Sequence, residues 1–273
     1  MRLPNWYRVE TGGVKFYRAW NLQATGLVAH GFSTRIGGVS KAPYNSLNLG
    51  LAVNDDKEAV LANRRAFASA IGVDPKRIVV PKQIHSNLVK LVTESDAGSG
   101  ALDHSNAIPD ADALITNTPN LPLALHFADC VCIFLLDPEH RAIGVAHAGW
   151  RGTASKIVSS AIEAMTREFG SDPGAMLAAV GPAVARSCYD VGEDTAKALF
   201  DAFPHDERVI KQSTATKWRA GLKIANIIIL RQAGLKESKI AFSESCTCCD
   251  RDEFFSYRRE GLTGRMGGWM SLL

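Results

Sequence analysis

No apolar run in this 273-residue chain approaches the roughly 20 residues that a bilayer span needs. The opening stretch, Met1 to Glu10, lacks the apolar core of a signal peptide. These two absences predict a cytoplasmic protein without a membrane partner. Charge bias is missing as well: 31 Lys and Arg stand against 28 Asp and Glu, a net +3 with no basic block. Nucleic acid is therefore not expected as a partner, although a mildly basic site for a small anion is compatible with the balance. Six cysteines in a chain of this length are too few for a secreted disulfide framework. They are expected as thiols, with one or two acting as ligands. GxGxxG and P-loop signatures, internal repeats and low-complexity linkers are all absent, which argues against a doubly wound nucleotide-binding sheet.

What is present is an ordinary globular balance, 46% hydrophobic and 22% charged, sufficient for one domain over residues 1–273 to bury its own core. Strands and helices alternate irregularly, with hairpins among them. The expectation is an α+β fold, a mixed β-sheet sandwich flanked by helices. Residues 27–35 read as a strand running into a functional loop punctuated by Gly37, Gly38, Pro43 and Gly50. Asp55 or Asp56 offers an N-cap for a helix over 57–71, with Val60, Arg64, Phe67 and Ile71 at helical spacing. Residues 77–85 and 87–92 read as two strands with His85 and Ser86 between them, and 112–116 and 121–127 as two more. Ser155 to Phe169 carries the best apolar stripe in the chain. Helices are expected over 192–203 and 220–234, and strands over 175–182, 239–243, 254–258 and the C-terminal residues.

Residues 128–153 organise the rest. Two apolar runs are separated by Asp137-Pro138-Glu139-His140, with Cys130 opening the first and His147 closing the second. A hairpin would bring those ends together, beside the start of the helix that follows. His85, Cys130 and His147 each fall at the end of an expected strand, and two imidazoles with one thiolate would leave a tetrahedral zinc one open position. The same donors suit copper. The pattern leaves alternatives open: Cys132 lies two residues from Cys130 and on the same strand face, and His30 and His126 are rival imidazoles. Trp150-Arg151-Gly152-Thr153 leads into a helix, with Thr153 able to cap it, which suits an anion. Arg35, on a Gly-rich loop, is a second guanidinium for an oxyanion. Cys246-Thr247-Cys248-Cys249 could bind a metal or be redox-active, but no second cluster completes a known site.

Eight blocks in order carry a family resemblance: residues 30–40, 44–50, 83–86, 110–116, 128–130, 146–153, 181–192 and 254–259. Together they resemble the YfiH-like family, also called laccase-domain proteins, multicopper polyphenol oxidases and purine nucleoside phosphorylases, from about residue 28 onward. The resemblance implies a metal triad of His85, Cys130 and His147, usually with zinc, on a fold related to the toxin domain of cytotoxic necrotising factors. It implies phosphorolysis of adenosine, inosine and methylthioadenosine, and deamination of adenosine. The expected contacts to nucleoside and phosphate are Ser33, Arg35, Asn48, Arg151, Tyr257 and Arg258, in a monomer, with Asp129 as proton shuttle. Two features depart from the family pattern: Cys248 and Cys249 are extra, and Gly221 stands where an acid is usual. Two other readings remain. One is copper-dependent phenol oxidation, although the seven histidines include no His-x-His pair. The other is a cysteine hydrolase or amidase acting on peptidoglycan precursors, with Cys130 as nucleophile and His147 as base.

Overall fold

The computed structural model describes residues 6–273; the first five residues of the N-terminal stretch discussed above lie outside the described residues. In chain order the strands are β1 (Trp6–Thr11), β2 (Val14–Ala19), β3 (Val28–Ser33), β4 (Val89–Leu91), β5 (Ala113–Thr116), β6 (Leu123–Phe127), β7 (Val131–Asp137), β8 (Ala142–Ala148), β9 (Leu177–Val180), β10 (Asp190–Val191), β11 (Ile210–Thr214), β12 (Lys217–Ala220), β13 (Ile240–Phe242) and β14 (Met266–Leu272). The helices are α1 (Trp20–Gln23), α2 (Lys57–Ile71), α3 (Trp150–Ala154), α4 (Ile157–Phe169), α5 (Glu193–Ala202), α6 (Leu222–Gln232) and α7 (Tyr257–Glu260). No described helix is long and apolar enough to cross a membrane.

A six-stranded mixed sheet, ordered β13-β9-β7-β8-β5-β4, faces a five-stranded antiparallel sheet, ordered β1-β2-β3-β14-β6. β7 runs between the two main cores and explains why its sequence reads as a continuous apolar run. Val131, Ile133 and Leu135 face the helix side with α4 and α6, whereas Cys132, Phe134 and Leu136 enter the layer between the sheets. The far face of the five-stranded sheet packs on α2 through Phe16, Phe67, Ile71 and Trp269. The result is helix, sheet, sheet, helix: an α+β sandwich.

Local chemistry sets the boundaries. The Asp56 carboxylate accepts the Ala59 N–H to start α2, and Gly72, at φ 84°, ends it. The helix expected from Ser155 starts later, because Lys156 turns left-handed at φ 59° and separates α3 from α4. Thr153 is consequently inside α3, fully buried, and does not cap α4; its hydroxyl accepts from Asn226 instead. Residues 77–85 form isolated bridges rather than a strand, since Pro81 brings no N–H to a ladder. Residues 254–258 are not a strand either: the Ser256 hydroxyl accepts the Arg259 N–H and starts α7. Residues 13–19 read as an early strand and form β2, whereas its hairpin partner β1 carries no clear signal in the sequence.

Arg64 of α2 is 2% exposed. Its guanidinium donates to the carbonyls of Leu49, Gly100 and Ala101 at 2.8, 2.7 and 2.8 Å. It thereby ties two long loops to one helix. Arg64→Met keeps much of the volume and strips three buried carbonyls of their donor. The expected cost is about 3 kcal/mol, read as a lower urea midpoint at unchanged m-value.

Candidate metal site and its cavity

The hairpin forms as the sequence reading expected, with Cys132 opposite His147 and Val131 opposite Ala148. Cys130 precedes β7 at the sheet's end, and His147 lies one residue before the end of β8. His85 arrives from the loop before β4. The ligand atoms of His85, Cys130 and His147 lie within 4.8 Å of one another. The two imidazoles meet edge to face at 4.9 Å, and Phe127 backs His147 at 5.4 Å.

Asp112, just ahead of β5, holds this arrangement, and the sequence reading placed no role on it. One oxygen meets His147 Nδ1 at 2.9 Å, which leaves Nε2 for the site. The other accepts the Ile84 and Ser86 N–H groups at 3.2 and 2.6 Å and the Ser86 hydroxyl at 2.9 Å. Those bonds grip both sides of His85, whose backbone stands at φ 61°. A single carboxylate therefore aims both histidines. The charges agree with that geometry. Burial opposes ionisation of Cys130, but the His147 and His85 imidazoles outweigh it and hold the thiol down at about 6. Burial likewise opposes protonation of His147, and the Cys130 sulfur with the Asp112 carboxylate raises it to about 9.

Cys132 shares a strand side with Cys130 but sits deeper, fully buried in the layer between the sheets. Burial alone pushes its thiol well up. Gly268 of β14 makes room for it, since a Cβ there would lie 2.4 Å from the Cys132 sulfur. His30 is a core histidine whose Nε2 accepts the Ala19 N–H at 3.0 Å. His126 lines the cavity near the triad, and its backbone is clasped by the Gln83 amide through bonds of 2.9 and 3.0 Å.

The triad opens into a cavity of about 470 Å³, lined also by Gly50, Arg64, Gln83, His104, His126, Tyr257 and Arg265. Of the contacts expected from the sequence, Tyr257 lines it, 64% exposed. Ser33, Arg35, Asn48, Asp129, Arg151 and Arg258 are not among the lining residues. Arg35 pairs with Glu260 at 2.8 Å and lies over Phe255 at 4.6 Å. Arg151 folds over Trp150 at 4.2 Å. Ser33 accepts the Gly267 N–H, and Asn48 accepts the N–H of Arg265 at 2.8 Å, thereby placing a residue that does line the cavity. Asp129, buried at φ 95°, accepts the Thr247 hydroxyl and the Arg258 N–H, both at 2.6 Å.

The donor set fits a metal ion. A low thiol, an imidazole fixed by a carboxylate and a second imidazole converge with their free atoms facing a cavity. Gly149 leaves the space: a Cβ there would lie 3.1 Å from both Cys130 Sγ and His85 Cδ2. Gly149→Ala displaces one of the two donors by a few tenths of an ångström. About a tenfold loss of activity is expected, with a melting temperature close to wild type.

A Cys/His₂ group with one buried imidazole, facing a cavity of small-molecule size, defines a candidate metal site of enzyme-like architecture. The chain belongs to the family described as multi-copper polyphenol oxidoreductase laccase, whose model matches residues 29–273. It is 37% identical over 246 residues to purine nucleoside phosphorylase YlmD of Bacillus subtilis strain 168, covering 90% of this chain and 88% of that protein. It is 34% identical over 233 residues to adenosine deaminase RL5 from an unknown prokaryotic organism, covering 85% and 88%. The crystal structure of Bacillus licheniformis hypothetical protein YfiH superposes with a TM-score of 0.91 at 36% identity, covering 97% of this chain and 98% of that one.

Proposed function

We propose that this protein is a zinc-dependent purine nucleoside phosphorylase that also deaminates adenosine. The observation that carries the reading is the convergence of His85, Cys130 and His147 at one end of a cavity of about 470 Å³ whose wall also holds Arg265 and an exposed tyrosine. That volume falls within the range of small-molecule sites. The names of the relatives support the choice of substrate. Zinc held by the triad would supply a Lewis acid with an open position toward the cavity.

In phosphorolysis the C1′–N9 bond of the nucleoside breaks as a C1′–O bond to phosphate forms. The proton of hydrogen phosphate ends on the departing purine. Tyr257, on the rim, offers a face on which the base stacks. The phosphate is assigned to Arg265, which lines the cavity and uses one guanidinium nitrogen on the Thr263 and Gly264 carbonyls, instead of Arg35 and Arg151, which do not line it. Asp129 acts as a positioning residue through Thr247 and Arg258 rather than as the proton shuttle. No carboxylate is among the residues lining the cavity. Deamination, which needs an acid to move protons, is for this reason ranked second to phosphorolysis.

The test is product analysis with purified protein, inosine or adenosine, and phosphate. Free base and ribose 1-phosphate in equal amounts are expected, dependent on phosphate. Absence of turnover on every purine nucleoside in metal-replete protein overturns the reading. One observation favours a second reading, a cysteine hydrolase: Cys130, His147 and Asp112 line up as nucleophile, base and orienting acid. An acyl group trapped on Cys130 would favour it. Copper-dependent phenol oxidation rests on the family description; stoichiometric copper with oxygen uptake would support it.

A further inference from the structure

A second group of thiols surrounds Thr247, whose hydroxyl donates to Asp129. Cys188 ends the turn Arg186–Cys188, ahead of β10. Cys246 and Cys249 form a Cys-x-x-Cys pair in the turn after β13. The three sulfurs lie within 4.8 Å of one another, and Cys188 Sγ and Cys249 Sγ approach to 3.2 Å across 61 residues of sequence. Cys248, between them in the chain, is not part of this group of three. The geometry points to a second metal site, built from Cys188, Cys246 and Cys249 with a fourth position open, that takes a thiophilic cation of the Zn²⁺ class.

Several features favour a metal over a disulfide. A disulfide uses two sulfurs, and here three converge from two separate segments. Sulfurs at about 2.3 Å from a tetrahedral zinc stand roughly 3.8 Å apart, and the three sulfurs here lie within 4.8 Å of one another. Thiolate donors and a Cys-x-x-Cys turn suit zinc or another soft ion. The turn is already shaped to present its sulfurs. The Ala185 N–H donates to Cys246 Sγ at 3.2 Å, as an amide does to a metal-bound thiolate. The Asp250 carboxylate accepts the Cys246 N–H at 3.1 Å. Arg259 donates to the carbonyls of Thr247 and Cys248, each at 2.8 Å.

The position gives the site a structural role. Thr247, inside the turn, donates its hydroxyl to Asp129 at 2.6 Å, and Asp129 is the chain neighbour of Cys130. An ion joining the turn at residue 188 to the turn at 246–249 would brace the segment that holds the triad's thiol in place. The site is independent of the catalytic reading: it requires neither zinc at the triad nor nucleoside turnover.

Metal counting on the full-length protein tests it. Protein loaded with Zn²⁺ and freed of excess is expected to hold two ions per chain. Cys130→Ala is expected to hold one, and Cys188→Ser with Cys249→Ser is also expected to hold one. Cobalt loaded into Cys130→Ala should show intense thiolate-to-cobalt absorption, and it should vanish when Cys188 and Cys249 are also changed. Stripping the metal from Cys130→Ala should lower its melting temperature by several degrees. If Cys130→Ala fails to fold, His85→Ala serves as the background. Metal-free Cys130→Ala after zinc loading overturns the proposal, as does a Cys188–Cys249 disulfide found by mass in protein that takes up no ion. Loss of the triad ion alone leaves one equivalent in the wild type that survives in Cys130→Ala, so the two sites fail distinguishably.

Discussion

Alanine at Cys130 is expected to lower kcat/KM for inosine phosphorolysis by about 10³-fold or more while leaving the chain folded. The thiol sits just before β7, half-buried, at the edge of the between-sheet core. What it does contribute is the one anionic donor among the three that meet at the cavity. Two neutral imidazoles without it make a poor site for a divalent ion. His147 remains bonded to Asp112 in the variant, so the loss is confined to the site. Steady-state kinetics with metal analysis of the same sample reads both quantities. Turnover within a few-fold of wild type in Cys130→Ala protein that has lost one ion relative to wild type would sink the assignment.

Asp112→Asn is the subtler change, with an expected loss of about 10- to 100-fold in activity or metal affinity. The amide oxygen can still accept from one side, but the carboxylate serves two sides. If the amide NH₂ faces His147, Nδ1 must become the acceptor, the proton moves to Nε2, and the lone pair that faced the site is gone. If the NH₂ faces the loop instead, it meets the N–H groups of Ile84 and Ser86 and releases His85 from its left-handed conformation. Either arrangement spoils one histidine. A wild-type kcat/KM with full metal content in Asp112→Asn would show that the carboxylate holds the loop without tuning the site.

The sandwich was legible where side-chain periodicity met punctuation. Residues 57–71 announced α2 through apolar spacing and the Asp55-Asp56 cap, and the structure places the helix there. The β7–β8 hairpin was legible from two apolar runs and the Asp137 turn, in which the Asp137 carboxylate accepts the Glu139 and His140 N–H groups. Residues 254–258 misled because Phe254, Phe255 and Tyr257 have strand-like composition, yet one serine hydroxyl sufficed to start a helical turn. Within the site, strand ends pointed to His85, Cys130 and His147, but nothing local separates Cys130 from Cys132. That difference is depth relative to the end of a sheet, a tertiary quantity. Asp112 and Arg265 escaped for the same reason: each is an ordinary charged residue until distant segments are brought against it. Arg35 and Arg151 stood out by sitting among glycines, and their partners, Glu260 and Trp150, were not visible as such.

β14 has a consequence for how the molecule assembles. It lies inside the five-stranded sheet, bonded to β3 on one side and β6 on the other. Its Gly267 N–H reaches the Ser33 hydroxyl across 234 positions of sequence. Until that segment inserts, β3 and β6 each present an unpaired edge, and Phe127 and Trp269 have no complete layer to enter. Closing so long a loop costs entropy before the pairing returns anything. Arg265 and the rim of the cavity are attached to the same segment. A molecule in which this segment is not inserted would therefore carry open strand edges and lack part of the cavity wall.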